Sequence, residues 1–298
     1  MSTMASYQPR YTNTGTWYKG NTHIHSTVSD GGLTFSELAA KYAEVGYDFL
    51  CRTDHWATSD VASDPEWYPL TWLDGVELDG FDLHSRYFHV VVLGTFKGIT
   101  RDMGFPAALE AARDQGGLLI LAHPTWTGNT FQDARRWEFH GVEVYNHVCW
   151  WLNGKGSGLA HWNAVLEQAP ATLGFACDDA HLRPEHPGWN GGWVMVQADE
   201  CTPDAIMESL RAGRFYSTTG PDFHQIVVDG SEVYIATSPV RFARLVGPGY
   251  LGRRTGSFEG PLLTEVAFEM PDDWAYAYVE VEDAAGRRAW TNTLMGIH

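Results

Sequence analysis

Residues 17–32 read Trp17-Tyr18-Lys19-Gly20-Asn21-Thr22-His23-Ile24-His25-Ser26-Thr27-Val28-Ser29-Asp30-Gly31-Gly32. The run near Trp17–Asn21 is strand-like, and His23 and His25 close it. Side chains two apart on an extended chain share a face, so both imidazoles can reach one metal ion. Taken alone, the pair is a weak signal and reads more readily as two polar residues at a strand end. Ser29-Asp30-Gly31-Gly32 is a turn, and a helix opens after it. Thr34 forms a capping box with Glu37, Phe35, Leu38, Ala39 and Tyr42 share one face, and Gly46 stops the helix.

The same alternation continues outward. Strand-like runs recur at Tyr47–Thr53, Leu73–Leu78, Tyr87–Leu93, Leu118–Ala122, Val142–Tyr145, Thr172–Ala176 and Gly192–Gln197. Helical patterns fit Phe105–Gln115, Leu159–Gln168 and Pro203–Ala212, the last with Thr202 as N-cap, Pro203 at its first position and Gly213 beyond its end. This is the pattern of a β/α barrel or a layered α/β fold. From about Asp222 the texture changes. Gln225–Val228, an Asp229-Gly230 turn and Val233–Thr237 predict a hairpin, and Thr264–Met270, Tyr276–Glu282 and Arg288–Thr291 continue as strands. The expected organisation is residues 1–221 as a barrel and 222–298 as a small all-β domain.

Nearly every apolar run delivers a histidine or carboxylate at or near its C-terminal end. Asp30 follows the first run, Thr53-Asp54-His55 ends the second, and Glu77 lies in the third. His89 lies in the fourth, His123 closes the fifth, Glu143 is in the sixth, and Asp179-x-His181 follows the seventh. In a parallel barrel such ends converge on one face. Histidines and carboxylates in this number suit Zn, Mn or Fe, and exceed what one ion can use. Bound divalent ions would also let several carboxylates share one pocket.

Bulk properties narrow the alternatives. With 298 residues, 44% hydrophobic and 19% charged, the chain is globular rather than disordered. No apolar run approaches the roughly 18–20 residues of a membrane span. Met1 to Arg10 lacks the pattern of a secretory leader. A soluble, cytoplasmic protein is expected, with no membrane partner. Twenty basic against 37 acidic residues give a net charge of −17, which repels a phosphate backbone and excludes nucleic acid as a partner. Cys51, Cys149, Cys177 and Cys201 form no C-x-x-C pair and read as buried thiols.

The ordered series His23-x-His25, Ser29-Asp30-Gly31, Thr53-Asp54-His55, Gly75-x-Glu77, His89, Ala122-His123-Pro124, Asp179-x-His181 resembles the PHP (polymerase and histidinol phosphatase) superfamily over about the first three quarters of the chain. The later segments Gly213-Arg214-Phe215-Tyr216-Ser217, Gly220-Pro221, Ser238-Pro239 and Arg288-Ala289-Trp290-Thr291-Asn292 resemble its carbaryl-hydrolase-like branch. The resemblance implies a distorted barrel near (β/α)7 with two or three divalent ions at its top. Carried over by residue, it implies one site from His23, His25, Glu77 and Asp179. A second would share Glu77 with His89 and His123, and a third would use Asp30, His55 and His181. Glu143 and Asn146 match a Glu-x-x-Asn pattern of the family, as substrate-orienting or ligand-supporting groups or as plain strand-end polar residues.

Two ions a few Å apart lower the pKa of a shared water, and a metal-bridging hydroxide then needs no Ser or Cys nucleophile. Asp54 either orients a ligand imidazole or makes a turn hydrogen bond. His186, close to the Asp179-x-His181 motif, is the remaining candidate for substrate contact or proton donation. Arg183 is the candidate anion binder, whereas Arg52 is expected to aim away from the site. Trp56, Trp67, Tyr68, Trp72, Trp126, Trp150, Trp151 and Trp189 fall just after strand ends, where a barrel walls its active face. With few Lys and Arg beside them, they favour a pocket for an apolar body over one for phosphate. The expected activity is hydrolysis of a carbamate or carboxylic ester of small-molecule size. Phosphoester hydrolysis is the alternative, a non-catalytic metal-binding barrel is a third reading, and a homo-oligomer is allowed.

Overall fold

The computed structural model describes residues 10–12 and 14–294. The stretch read above for a leader therefore lies, apart from Arg10, outside the described residues. In chain order the first half comprises β1 (Thr16–Asn21), α1 (Phe35–Ala43), β2 (Phe49–Cys51), β3 (Thr71–Leu73), β4 (Gly75–Phe81), β5 (Tyr87–Leu93), α2 (Phe105–Asp114), β6 (Leu118–Leu121), α3 (Pro124–Thr127), α4 (Phe131–Arg136) and β7 (Gly141–Asn146). Then come α5 (His147–Asn153), α6 (Leu159–Leu166), β8 (Leu173–Cys177), β9 (Trp193–Ala198), α7 (Pro203–Ala212) and β10 (Phe215–Thr218). The remainder is all strand: β11 (Phe223–Asp229), β12 (Glu232–Val240), β13 (Phe242–Val246), β14 (Gly252–Gly256), β15 (Leu263–Glu269), β16 (Tyr278–Glu282) and β17 (Arg288–Thr291). No helix among the described residues is long and apolar enough to cross a membrane.

Local chemistry accounts for the helix ends. Thr34 accepts from the Glu37 amide and the Glu37 carboxylate reaches back to the Thr34 amide at 2.8 Å, closing the capping box of α1. Thr202 caps α7, Pro203 opens it, and Gly213 ends it at φ +70°, a conformation that favours glycine. The short helices α3, α4 and α5 were not visible as periodicity, because they run only four to seven residues. Strands β13 and β14 were also missed; β14 is Gly-Arg-Arg-Thr-Gly, with no apolar alternation to read. The hairpin loop is Gly230-Ser231, one residue later than expected, since Asp229 pairs with Glu232.

The expected barrel is corrected in its closure. Among the described residues three sheets occur: β14-β13-β16-β17-β10-β9-β1-β2-β3, β4-β5-β6-β7-β8, and β11-β12-β15. No closed barrel is formed by continuous ladders among the described residues. Instead, two single parallel bridges join the chain just beyond β1 and β2 to the two edge strands of the second sheet, Ile24 to Ala180 beyond β8 and His55 to Glu77 of β4. The run Leu73–Leu78 is two strands, broken at Asp74, where the chain leaves β2 as its partner and takes up β5. Asp74 accepts there from Ser59, Thr95 and the Val61 amide. Strand β5 is antiparallel to β4 and β6, so His89 sits near the start of its strand. That start lies where the parallel neighbours finish.

The long sheet does not stop at residue 221. Strand β10 pairs with β17, and β16 and β13 follow outward. The apolar core is likewise shared, with the Trp162 and Tyr278 rings 4.7 Å apart and the Tyr278 hydroxyl donating to Asn163. Between β8 and β10 the Ser217 hydroxyl stands in for a ladder rung, accepting from the Ala176 amide and donating to the Gly174 carbonyl, each at 2.8 Å. Its loss would leave a buried amide and carbonyl unpaired. Ser217→Ala should therefore lower stability by about 1–3 kcal/mol in urea unfolding; an unchanged midpoint would mean that this rung contributes nothing to the sheet junction.

Candidate metal centre

Strand ends bring the chemistry together. Beyond β1 the chain stays extended. Ile24 is held by reciprocal bonds with the Thr53 hydroxyl and turns into the apolar cluster with Leu38 and Tyr42. His23 and His25, on either side of it, therefore face the opposite way, and their Nε2 atoms are 3.1 Å apart. Glu77 comes from β4 and His89 lies diagonally across on β5, the Glu77 carboxylate 2.7 Å from His89 Nδ1. His123 follows β6, Asp179 and His181 follow β8, and both His123 (φ +27°) and Asp179 (φ +56°) hold left-handed backbone. Such conformations cost free energy in non-glycine residues and are retained where the surroundings over-determine them. Here the Asp179 amide donates to the His23 carbonyl and the His123 amide to the Glu143 carboxylate.

Glu77, only 1% exposed, is the hub. Its Oε2 lies 3.2 Å from His23 Nε2, 3.2 Å from His25 Nε2 and 3.3 Å from His55 Nδ1. Its Oε1 faces His89 Nδ1 and, at 3.5 Å, His123 Nε2. Asp179 Oδ1 lies 3.3 Å from His23 and 3.1 Å from His25. Asp30, partly exposed, closes the outer edge at 3.2 Å from His181 Nε2, 3.6 Å from His25 Nδ1 and 4.0 Å from His55 Nε2. All nine sequence-derived ligand candidates thus meet in one cluster. Four of its subsets with ion-sized spacing are His23-His25-Asp179, His23-Glu77-His123, His25-Asp30-His55-His181 and His55-Glu77-His89, and the His89 and His123 rings, 4.9 Å apart, face the same Glu77 oxygen.

The donor set fits divalent ions better than protons. His23 Nδ1 is 2.7 Å from the Glu143 carboxylate, which draws the ring proton to Nδ1. The neutral ring then keeps its lone pair on Nε2, which faces Glu77 Oε2, Asp179 Oδ1 and the His25 ring nitrogen. His55 Nδ1, 3.3 Å from Glu77 Oε2, is buried with no hydrogen bond in good geometry among the described residues. Lone pairs converging on a buried point call for a cation. Burial opposes charge on His23, but Asp179, Glu77 and Glu143 outweigh it and hold its pKa well above 6.5. Burial likewise penalises the Glu77 and Asp179 carboxylates, and the surrounding imidazoles, His23 foremost, drive both well below the carboxylate range.

The other predicted residues separate by contact. Glu143 and Asn146 are buried supports: Asn146 Nδ2 donates to Glu143 at 2.9 Å and to Asp179 Oδ2 at 3.2 Å. Asp54 takes the turn-forming role rather than the imidazole-orienting one, since its oxygens accept from the amides and hydroxyls of Ser26 and Ser29. Arg183 and His186 line a cavity of about 190 Å³ over the cluster, together with Trp126, Val148, Cys149 and Leu152. Arg52 points away, paired with Asp64 and stacked against Phe35.

The expected aromatic wall is largely corrected. Of the eight residues only Trp126 lines that cavity; Trp72 is core beside Phe35, and Trp189 packs on Tyr42. The sequence reading also missed Asp79 and Tyr87. Asp79 Oδ1 lies 3.4 Å from His55 Nδ1 and accepts from Trp56 Nε1, while the Tyr87 hydroxyl is 3.2 Å from His89 Nε2. The signal was present, because Glu77-x-Asp79 and Tyr87-x-His89 carry the same period of two as His23-x-His25.

No protein-family model and no curated protein matches the chain. Among solved structures it is similar to a two-domain protein from Bacteroides vulgatus containing a predicted PHP-like metal-dependent phosphoesterase. The match covers 99% of this chain and 100% of that one, at 13% identity and a TM-score of 0.52. It also matches a candidate metal-dependent phosphoesterase from Bifidobacterium adolescentis over 67% of this chain and 98% of that one (14% identity, TM-score 0.42). An amidohydrolase from Chromobacterium violaceum, with bound sulfate and no metal, matches over 56% of both chains (22% identity, TM-score 0.24). The first likeness is one of fold across the entire length, including the C-terminal strands.

Two measurements test the cluster. Glu143→Gln should weaken metal binding about 10–100-fold, the usual cost of losing a carboxylate behind a ligand imidazole; unchanged affinity by competitive chelation would show that His23 needs no such partner. In metal-free protein His25 is held at about 9 instead of 6.5, burial being outweighed by Asp179 and Glu77. A pKa raised on folding stabilises fully below the unfolded value and is lost as pH rises through the folded one. The urea midpoint of chelated protein should therefore fall between pH 6.5 and about 9, and a flat profile would mean His25 stays neutral.

Proposed function

We propose that this chain is a metal-dependent hydrolase of the PHP superfamily acting on an ester-type bond. Its seven strands β1, β2 and β4–β8 would be an incompletely closed, distorted barrel. The observation that carries the reading is the convergence of lone pairs on Glu77 and Asp179, with His23 Nε2 committed to a cation by Glu143. His23, His25, Glu77 and Asp179 would hold one ion, Glu77 with His89 and His123 a second, and Asp30, His55 and His181 a third, drawn from Zn, Mn or Fe. Divalent ions bound there supply acidification of a water and stabilisation of developing negative charge.

The protein's own groups do the rest. Glu143 fixes the His23 tautomer, and Asn146 ties Glu143 to Asp179 so that both carboxylates keep their orientation. Asp54 locks the Ser26–Ser29 turn and so sets Asp30 at the mouth. His186 lines the cavity beside His181, their ring centroids 5.7 Å apart, where it can protonate a departing oxygen. Arg183 lies on the same side to steady an oxyanion. The remaining wall is apolar, from Trp126, Val148 and Leu152. This favours a carbamate or carboxylic ester with an apolar group over a phosphate, which usually meets several Arg or Lys. Phosphoester hydrolysis is the second reading, favoured by the name given to the Bacteroides vulgatus protein that shares the fold.

Matched aryl esters, aryl carbamates and aryl phosphates should separate these readings, with the carboxylic substrates turned over faster; phosphate turnover faster by orders of magnitude would reverse the ranking. His25→Ala or Asp179→Ala should abolish turnover with the circular-dichroism spectrum retained, and full activity in either would refute the proposed centre. His186→Ala should lower kcat about 10²–10⁴-fold, most for poor leaving groups; an effect independent of the leaving group would remove its role as proton donor.

A further inference from the structure

A second cavity, apart from the metal pocket, is larger than it. It measures about 660 Å³ and opens at the other end of the same strands. Leu118 and Leu173, the first residues of β6 and β8, line it, whereas His123 and Asp179 follow the last residues of those strands. At about 3.3 Å per residue the two sites are about 17–20 Å apart along the strands. The volume is within the range of small-molecule sites, about 300–1,000 Å³.

Its lining joins two kinds of surface. Leu118, Phe139, Val165 and Leu173 give an apolar floor, and Arg10, Arg135 and Arg211 bring three guanidinium groups from three separate parts of the chain. Each guanidinium is anchored through neutral acceptors. Arg10 donates to the Ala212 carbonyl and the Thr293 hydroxyl, Arg135 to the Ala164 carbonyl, and Arg211 to the Gly116 carbonyl. None is in an ion pair with a carboxylate among the described residues, and most of their N–H groups have no acceptor there. This is unusual in a chain of net charge −17, where a carboxylate partner is easily found. Glu138 is the one acidic residue of the lining, and its side chain is exposed. His140 adds a donor: its Nδ1 accepts from the Leu119 amide, which places the ring proton on Nε2.

We propose that this cavity is a second binding site, distinct from the metal centre, for a small organic anion with an apolar body. Backbone carbonyls hold the arginines in place without neutralising them, so their charge and forked donors are available to an acidic head group. The apolar floor takes the hydrocarbon part. A neutral ligand of the same shape leaves the guanidinium groups unmatched, and a cation is repelled.

Isothermal titration of the full, metal-loaded chain with octanoate, octyl phosphate and 1-octanol tests this. Whichever anion binds more tightly identifies the head group as carboxylate or phosphate. It should bind once per chain and at least about tenfold more tightly than 1-octanol, the difference expected of one charge-assisted hydrogen bond. The double variant Arg135→Gln/Arg211→Gln should weaken that binding by a further order of magnitude or more, about one tenfold step per 1.4 kcal/mol. Ala169→Trp, which fills the cavity and leaves every arginine in place, should abolish it, and decides the matter if the arginine variant fails to fold. Absence of binding by both anions, equal binding of 1-octanol, or binding unchanged in Ala169→Trp would overturn the proposal.

Discussion

The structure is organised around one buried carboxylate. Glu77 cannot be held as an anion in a protein interior without compensation, because an isolated buried charge costs many kcal/mol. Compensation comes from His23, His25, His55, His89 and His123, each within 3.5 Å, and each delivered by a different strand or by the same strand end at a spacing of two. The two large sheets meet at this point. The bridge between His55 and Glu77 is itself one of the contacts that join them, and another, Ile24 with Ala180, lies between residues of the cluster. Part of the sheet junction is therefore also part of the cluster.

The supporting groups follow from that geometry. Glu143 fixes the tautomer of His23 while accepting the His123 amide with its other oxygen. One carboxylate thus orients two of the clustered histidines, one through its ring and one through its backbone. Positive φ at His123 and Asp179 is the conformational cost of turning side chains inward at a strand end. Asp54, Asp79 and Asn146 act one layer further out, on a turn, an imidazole and two carboxylates respectively.

The two ends of the strands carry opposite chemistry. At one end carboxylates and imidazoles converge, with Trp126, Val148 and Leu152 lining the cavity above them. At the other, three arginines converge over apolar residues and meet backbone carbonyls instead of acids. The rigid strands between keep these fields apart, which allows one compact fold to hold both.

The amino-acid order by itself determined the ligand types and their phase. A spacing of two on an extended chain places side chains on one face whatever the surroundings, and the same rule, applied to Asp79 and Tyr87, would have added both. It also determined the long helices, whose caps and periodicity are local. Strand direction, by contrast, was decided only by tertiary pairing: nothing local distinguishes β5 as antiparallel, and β14 has no pattern to read. Sheet closure is likewise non-local, since it rests on single bridges between residues 156 and 22 positions apart. The aromatic wall failed for the same reason. Trp72 is itself the middle residue of β3 and faces the core, and whether a tryptophan that does follow a strand faces the cavity, as Trp126 does, depends on what packs against it. The arginine-lined cavity left no trace in the sequence, because its three charges lie far apart in the chain and meet only when α4 and α7 pack around the starts of β6 and β8.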